Sequence, residues 1–81
     1  MEKGLLQELA AAGAVLNLTA RGIPGGYVLI AQTEGGERLI ETQRGQTRVF
    51  SRLDTVAAFV RSVGLNRLSV EIGGWDKSGL L

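Results

Sequence analysis

The chain has 81 residues, no cysteine, no histidine and a net charge of +1. This length suits one domain, and the missing residue types exclude disulfides, thiolate metal sites and acid–base catalysis by histidine. No apolar run is long enough for a membrane helix, and Gln7 and Glu8 interrupt the amino-terminal one. We therefore expect a cytoplasmic protein with no membrane or secretory segment.

A short helix is predicted over residues 2–12, followed by a strand over residues 14–21. Apolar residues recur at helical spacing in the first stretch, and Gly13 follows where a left-handed cap commonly ends a helix. After it, apolar residues alternate with mostly polar ones, which is the period of a strand with one buried face. The glycine-rich stretch at residues 22–26 then predicts a turn.

The second predicted strand, over residues 27–33, is apolar on both faces. Val28 and Ile30 lie on one face, and the apolar residues at odd positions lie on the other. A strand of this kind is typically buried on both sides, so its second face requires a cover. That cover is either the first helix or another subunit, and a self-complementary homodimer is the natural arrangement if the helix lies elsewhere. Val28 and Ile30 are therefore candidate partner-binding residues.

Two turns and a well-marked helix follow. A Gly-Gly connection at residues 34–37 predicts a hairpin into a third strand over residues 38–44, and a further turn leads to a short strand over residues 48–50. Ser51 and Asp54 match a capping box, in which the serine caps the helix that follows. That helix carries a valine-rich stripe at helical spacing.

The second helix is predicted to end at Gly64, and a final strand is predicted over residues 67–72. Leu68, Val70 and Ile72 alternate with polar residues, so they are expected to point inward.

Together these elements predict an α+β fold in the order α-β-β-β-β-α-β, with two helices and a small antiparallel sheet of four to five strands. The prediction is one domain over residues 1–81, with a flexible tail at residues 73–81 apart from Trp75.

Positive charge is concentrated in residues 38–52, which carry four arginines against one glutamate. The four are Arg38, Arg44, Arg48 and Arg52. Arginine forks suit phosphates and a hairpin can follow a groove, so these are candidate nucleic-acid-binding residues. However, aromatic residues for stacking bases are scarce. The alternative is a solvated sheet face whose charges keep an edge strand from aggregating.

Trp75 follows two glycines near the end of the chain. It either anchors the tail over the edge of the sheet or serves as a partner-binding residue, because exposed tryptophan is a favoured interface residue. The carboxylates are scattered along the chain, and Ser51 has no histidine to activate it. We therefore expect no catalytic residue, no metal and no cofactor.

Several stretches carry a family resemblance. They are TQRGQTRVFSRLDTVA at residues 42–57, VGL at residues 63–65, and the strand over residues 67–72 closing on Gly74 and Trp75. These resemble the ParC family of small plasmid partition-associated proteins, which is distinct from the topoisomerase subunit of that name. The resemblance implies an accessory role in plasmid maintenance beside a partition ATPase and its DNA-binding adaptor. It transfers no catalytic residue.

The leading hypothesis is a non-enzymatic interaction module in bacterial plasmid partition or maintenance, with a homodimer as one form. A partition ATPase or a DNA-binding adaptor is the expected partner. The alternative is a small sheet-based nucleic-acid-binding domain that uses an arginine-rich hairpin. A third hypothesis, an enzyme or small-molecule binder, requires a concave polar pocket.

Overall fold

A computed structural model describes residues 1–76 of the chain. These residues form two helices and five strands in the predicted order, which confirms the α+β class. The elements are α1 (Lys3–Ala11), β1 (Asn17–Ile23), β2 (Gly26–Thr33), β3 (Gly36–Leu39), β4 (Val49–Phe50), α2 (Leu53–Ser62) and β5 (Ser69–Glu71). Neither helix is long and apolar enough to cross a membrane.

The strands form one sheet in the order β3-β2-β1-β5, and β4 pairs with β2 beyond the end of β3. The pairings β1–β2, β2–β3 and β2–β4 are antiparallel, whereas β5 runs parallel to β1. The sheet is therefore mixed. The physical reason is the crossover: α2 carries the chain from β4 back across the sheet, so the next strand starts from the same end.

Both helices pack on one face of the sheet, here called the inner face. The odd-numbered apolar residues of β2 point to this face, as predicted, and Leu29 is fully buried. They join a single core with Leu6 of α1 and with Val56 and Phe59 of α2. The side chain of Gln7 donates a hydrogen bond to the Ser62 carbonyl at 3.4 Å, which places the two helices side by side.

The first and third strands are shorter than the sequence predicts. The first begins at Asn17 instead of residue 14, although the Leu16 N–H still donates to the Gln32 carbonyl, and it ends at Ile23 instead of residue 21. The predicted turn at residues 22–26 is therefore too long, because β2 already begins at Gly26. The third strand ends at Leu39 instead of residue 44. Just beyond the end of β3, Met1 lies beside the chain, and its carbonyl accepts a hydrogen bond from the Glu41 N–H at 2.8 Å.

The predicted capping box is wrong. The N-cap of α2 is Arg52, in an extended conformation, and no side chain caps it. A carboxylate oxygen of Asp54 instead lies 3.5 Å from the Arg52 guanidinium. Asp54 is in the first turn of α2, where a negative charge interacts favourably with the helix dipole. The other end is as predicted: Gly64 has a φ of +92°, and Leu65 packs against the core.

The last strand also differs from its prediction. It spans only Ser69–Glu71, and all three of its residues are exposed. Leu68 packs against the core, and Val70 lies on the inner side opposite Ala20 as predicted, but Val70 and Ile72 remain 44% and 64% exposed and are not part of the core. These side chains stay exposed because β5 is the terminal strand of the sheet and has a neighbouring strand, β1, along only one of its two edges.

Substitution of Gly26 tests the pairing of β2 with β4. A Cβ atom at this buried position would collide with the Phe50 carbonyl oxygen, whereas one at Gly4 of α1 meets open space. We expect Gly26→Ala to lower the free energy of unfolding by about 1–3 kcal/mol. Gly4→Ala should raise it by about 0.5–1 kcal/mol, because alanine is the better helix former. Urea unfolding followed by circular dichroism measures both, and equal stability of the two variants would contradict the assigned pairing.

Candidate interaction surface

The face of the sheet opposite the helices, here called the outer sheet face, has an apolar centre. The pairing register places on it the alternate residues of β2, including Val28 and Ile30, and their cross-strand partners. Within residues 1–76, no helix covers this face. Its apolar and charged members are Arg21, Ile23, Val28, Ile30, Glu37, Leu39, Val49 and Glu71.

The centre of the outer sheet face is a shallow open cleft of about 470 Å³. Ile30 is nearly buried by its neighbours within the sheet, yet it does not belong to the main core. Val28 is half-buried. Leu39 and Val49 are 44% and 57% exposed, which is unusual for two aliphatic side chains on the same face. Their exposure leaves a continuous apolar strip across β2, β3 and β4.

Charged side chains of both signs border this strip. The Nε atom of Arg21 lies 2.8 Å from a carboxylate oxygen of Glu71 on the neighbouring strand. This hydrogen bond, and then the charge of the same carboxylate, raise the pKa of Arg21, with a smaller contribution from Glu37. Arg21 is thus paired with Glu71 along one side of the apolar strip.

Sequence reasoning identified Val28 and Ile30 but missed the rest of this surface. Leu39 and Val49 lie on separate short strands, and only their pairing with β2 brings them to the same face. One signal was available in the sequence: the alternation of apolar and polar residues along the first strand places Arg21 on the outward face.

A second, larger cleft of about 560 Å³ lies between α1 and the β2–β3 hairpin. Leu5 and Leu16 form part of its apolar wall, and Arg38 and Glu34 provide its charge. The structure therefore places Arg38 on the side of β3 next to α1, apart from the apolar strip of the outer sheet face.

Next to this cleft, the amino group of Met1 is bound inside the domain. It donates one hydrogen bond to the Leu39 carbonyl at 2.7 Å and a second to a Glu41 carboxylate oxygen at 2.8 Å. The hydrogen bond, followed by the positive charge of the ammonium, lowers the pKa of Glu41 below its ordinary value of 4.5. Sequence reasoning gave no sign of this contact, because 40 residues separate its two partners.

The four candidate nucleic-acid-binding arginines have different surroundings. Arg48 lies over two aromatic rings, with its guanidinium carbon 5.4 Å from the centre of Phe50 and 4.9 Å from that of Phe59. The Nζ atom of Lys3 lies 5.6 Å from the same Phe59 ring. Arg44 is exposed in a turn, and Arg52 contacts Asp54. Arg48 thus has a structural contact that the sequence did not reveal.

Trp75 lies back against the sheet. Its ring stacks near Tyr27, with 6.4 Å between ring centres and 13° between planes. Its backbone and Cβ pass so close to Gly22 that a Cβ atom there would lie 2.5 Å away. The Gly25 N–H then donates to the Asp76 carbonyl at 2.8 Å. Trp75 remains 41% exposed. Of the predicted tail, residues 77–81 lie outside the described residues.

Over residues 1–76, no three carboxylates come together in a group that could hold a metal ion. Ser51, the one serine considered as a nucleophile, is exposed at the start of the connection into α2. The cleft beside α1 and the cleft of the outer sheet face are both open, and each is lined by aliphatic and charged residues.

Over residues 1–76, the architecture is that of a small α+β domain whose sheet is covered by helices on one side only. A model of the ParC-like family matches residues 1–77. The chain therefore belongs to the ParC-like family, which confirms the resemblance seen in its sequence. No curated protein and no solved structure matches it significantly.

Arg48→Ala should destabilise the domain by about 1 kcal/mol, since it removes a cation–π contact with two rings. Arg52→Ala removes only an exposed ion pair and should change stability by less than about 0.5 kcal/mol. Chemical unfolding of both variants checks the difference. Arg48→Lys should recover only part of the loss, because an ammonium cannot stack as the planar guanidinium does. Identical unfolding curves for the two alanine variants would rule out a structural role for Arg48.

The Met1–Glu41 pair predicts a pH dependence. Because folding lowers the pKa of Glu41, its contribution to stability is complete above the ordinary glutamate pKa and is lost as the pH falls through the folded-state value. Glu41→Gln should therefore be less stable than the parent at neutral pH, with a difference that shrinks in acid. Urea unfolding at about pH 7, 5 and 3 measures it, with Glu8→Gln on α1 as control. A difference that stays constant with pH would disprove the ion pair.

Proposed function

We propose that this protein is a non-catalytic interaction module that forms a homodimer through its outer sheet face, and that it acts in plasmid partition or maintenance. The observation that carries the proposal is the exposed apolar strip of Val28, Ile30, Leu39 and Val49, which no helix covers in residues 1–76. Contiguous apolar surface of this kind usually marks an interaction site. Membership of the ParC-like family supports the cellular role.

The charges around the strip favour a second copy as the occupant. Arg21 lies on β1 and Glu37 on β3, on opposite sides of β2. A twofold axis parallel to β2 places the β1 of one copy over the β3 of the other, so the side of the face that carries Arg21 meets the side that carries Glu37. The same surface thereby offers both an apolar centre and charges of opposite sign to its copy. Two stacked sheets would also bury Ile30 and Val28 as a sandwich core.

The size of the sheet limits the strength of this dimer. A seven-residue strand is about 23 Å long, and four strand positions at about 4.8 Å spacing are roughly 19 Å wide. Such a face buries roughly 450 Å² per copy and about 900 Å² in total, which is below the usual 1,200–2,000 Å² of stable complexes. We therefore expect a weak dimer whose population depends strongly on concentration.

Substitutions at the two most exposed positions test this proposal. We expect the parent chain to pass from monomer to dimer between about 10 µM and 1 mM, which corresponds to roughly 4–7 kcal/mol of association free energy. Leu39→Lys combined with Val49→Lys should remain folded and monomeric, because it places charge in the apolar strip of the interface. Sedimentation velocity measures the mass, and circular dichroism checks the fold.

The matched control is Leu5→Lys combined with Leu16→Lys, which adds the same charge to the cleft beside α1. This control should dimerise like the parent. A parent chain that stays monomeric throughout the range, or a control that loses the dimer equally, would reject the outer sheet face as the interface.

The alternative, binding of nucleic acid through Arg38, Arg44, Arg48 and Arg52, is less favoured. Arg48 is stacked on two rings, and Arg38 borders the cleft beside α1. Titration with short duplex and single-stranded DNA distinguishes the two functions. Phosphate contacts predict amide shifts in residues 38–52 that weaken steeply with salt, whereas the dimer predicts shifts that follow protein concentration without DNA.

A further inference from the structure

The far edge of β5 is an unprotected strand edge. β5 is the terminal strand of the sheet, and no residue in 1–76 pairs with its outer side. Natural sheets usually guard such an edge with lysine, proline or an outward charge. Here the polar side chains point back toward the sheet: Glu71 binds Arg21, and the Ser69 hydroxyl donates to Asn17 at 3.3 Å. The backbone of β5 is thus open to an added strand.

A narrow apolar groove adjoins this edge. It lies between α2 and the segment that leads into β5, and we call it the α2–β5 groove. Its volume is about 120 Å³. A cavity of about 150 Å³ holds a benzene molecule, so this groove suits one aliphatic side chain. Its lining residues are Ala57, Val60, Arg61, Asn66, Arg67 and Leu68.

The groove and the strand edge face the same side. Leu68 lies two residues before Val70, and Val70 pairs with the buried Ala20 on the inner face. Because side chains of a strand alternate between faces, Leu68 and Val70 share the inner side. A strand added along β5 would therefore place every second side chain on the side of the groove. Val70, which is 44% exposed, would be covered by the same addition.

Two arginines make the groove selective by charge. Arg61 lies in the last turn of α2 and Arg67 precedes β5; both line the groove and both are exposed. Neither forms an ion pair with another residue in the described part of the chain. An apolar floor between two guanidinium groups suits an aliphatic side chain flanked by carboxylates, because arginine pairs well with carboxylate oxygens.

We propose that β5 and the α2–β5 groove bind an extended acidic segment of a partner protein by strand addition. The backbone of the segment pairs with the outer edge of Ser69–Glu71, an aliphatic side chain enters the groove, and aspartate or glutamate residues pair with Arg61 and Arg67. Of the apolar and charged members of the outer sheet face, this site shares only Glu71, and it does not depend on the proposed dimer.

Synthetic peptides and an NMR titration of the full chain test the proposal. The probe is an acetylated, amidated heptapeptide of alternating aspartate and aliphatic residues, with leucine at its centre. Binding should shift amide signals in β5, in the segment before it and in the last turns of α2. Arg61→Ala combined with Arg67→Ala should weaken binding about tenfold, or about 1.4 kcal/mol, the sum expected for two exposed ion pairs.

Two control peptides and one control variant make the result specific. A peptide with lysine in place of aspartate tests the charge, and one with serine in place of the aliphatic residues tests the groove; neither should bind measurably. Leu39→Lys combined with Val49→Lys should bind the probe as the parent does, since it alters only the outer sheet face.

Three outcomes would overturn the proposal. The first is that the amides of β5 stay unshifted up to millimolar probe, and the second is that the lysine peptide binds equally well. The third is that β5 signals of the Leu39→Lys, Val49→Lys variant, which does not form the proposed dimer, change with protein concentration alone. The last outcome would show that a second copy of the chain takes the edge.

Discussion

All other strands of this domain pair with the β1–β2 hairpin. Seven consecutive residue pairs join the two strands, from Asn17 opposite Gln32 to Ile23 opposite Gly26. This register points Leu18, Ala20, Leu29 and Ala31 to the same side, where they form the centre of the core. β3 and β4 then pair with β2, and β5 pairs with β1. A shift of one residue in the hairpin would turn the whole core outward, so the fold depends on this register.

Helices cover one face of the sheet and leave the other exposed, and this asymmetry is the feature of the fold most relevant to function. Both helices pack on the inner face and touch each other through Gln7 and Ser62, so the opposite face keeps an exposed apolar strip. Because both helices pack into the same core, neither is left to cover the other face. The face left over is available for another chain, and the proposed dimer would use it.

The outer sheet face and the β5 edge have different chemistry, so they suit different partners. The outer sheet face carries charges of both signs around aliphatic side chains, which favours a copy of itself. The β5 edge carries two arginines beside a narrow groove, which favours an acidic extended segment. A small protein with two such surfaces could join a partner while paired with itself. That arrangement suits an accessory component of a larger assembly, the role proposed from membership of the ParC-like family.

The sequence alone determined the class of fold, the order of elements and the two-faced nature of β2, because these follow from local periodicity and from glycine positions such as Gly64. Its family resemblance was also confirmed. Tertiary structure decided the rest. The parallel pairing of β5, the gathering of Leu39 and Val49 beside Ile30, the stacking of Arg48 on Phe50 and Phe59, and the Met1–Glu41 pair all join residues from separate elements. No local pattern encodes such contacts, since they depend on which strands become neighbours after folding.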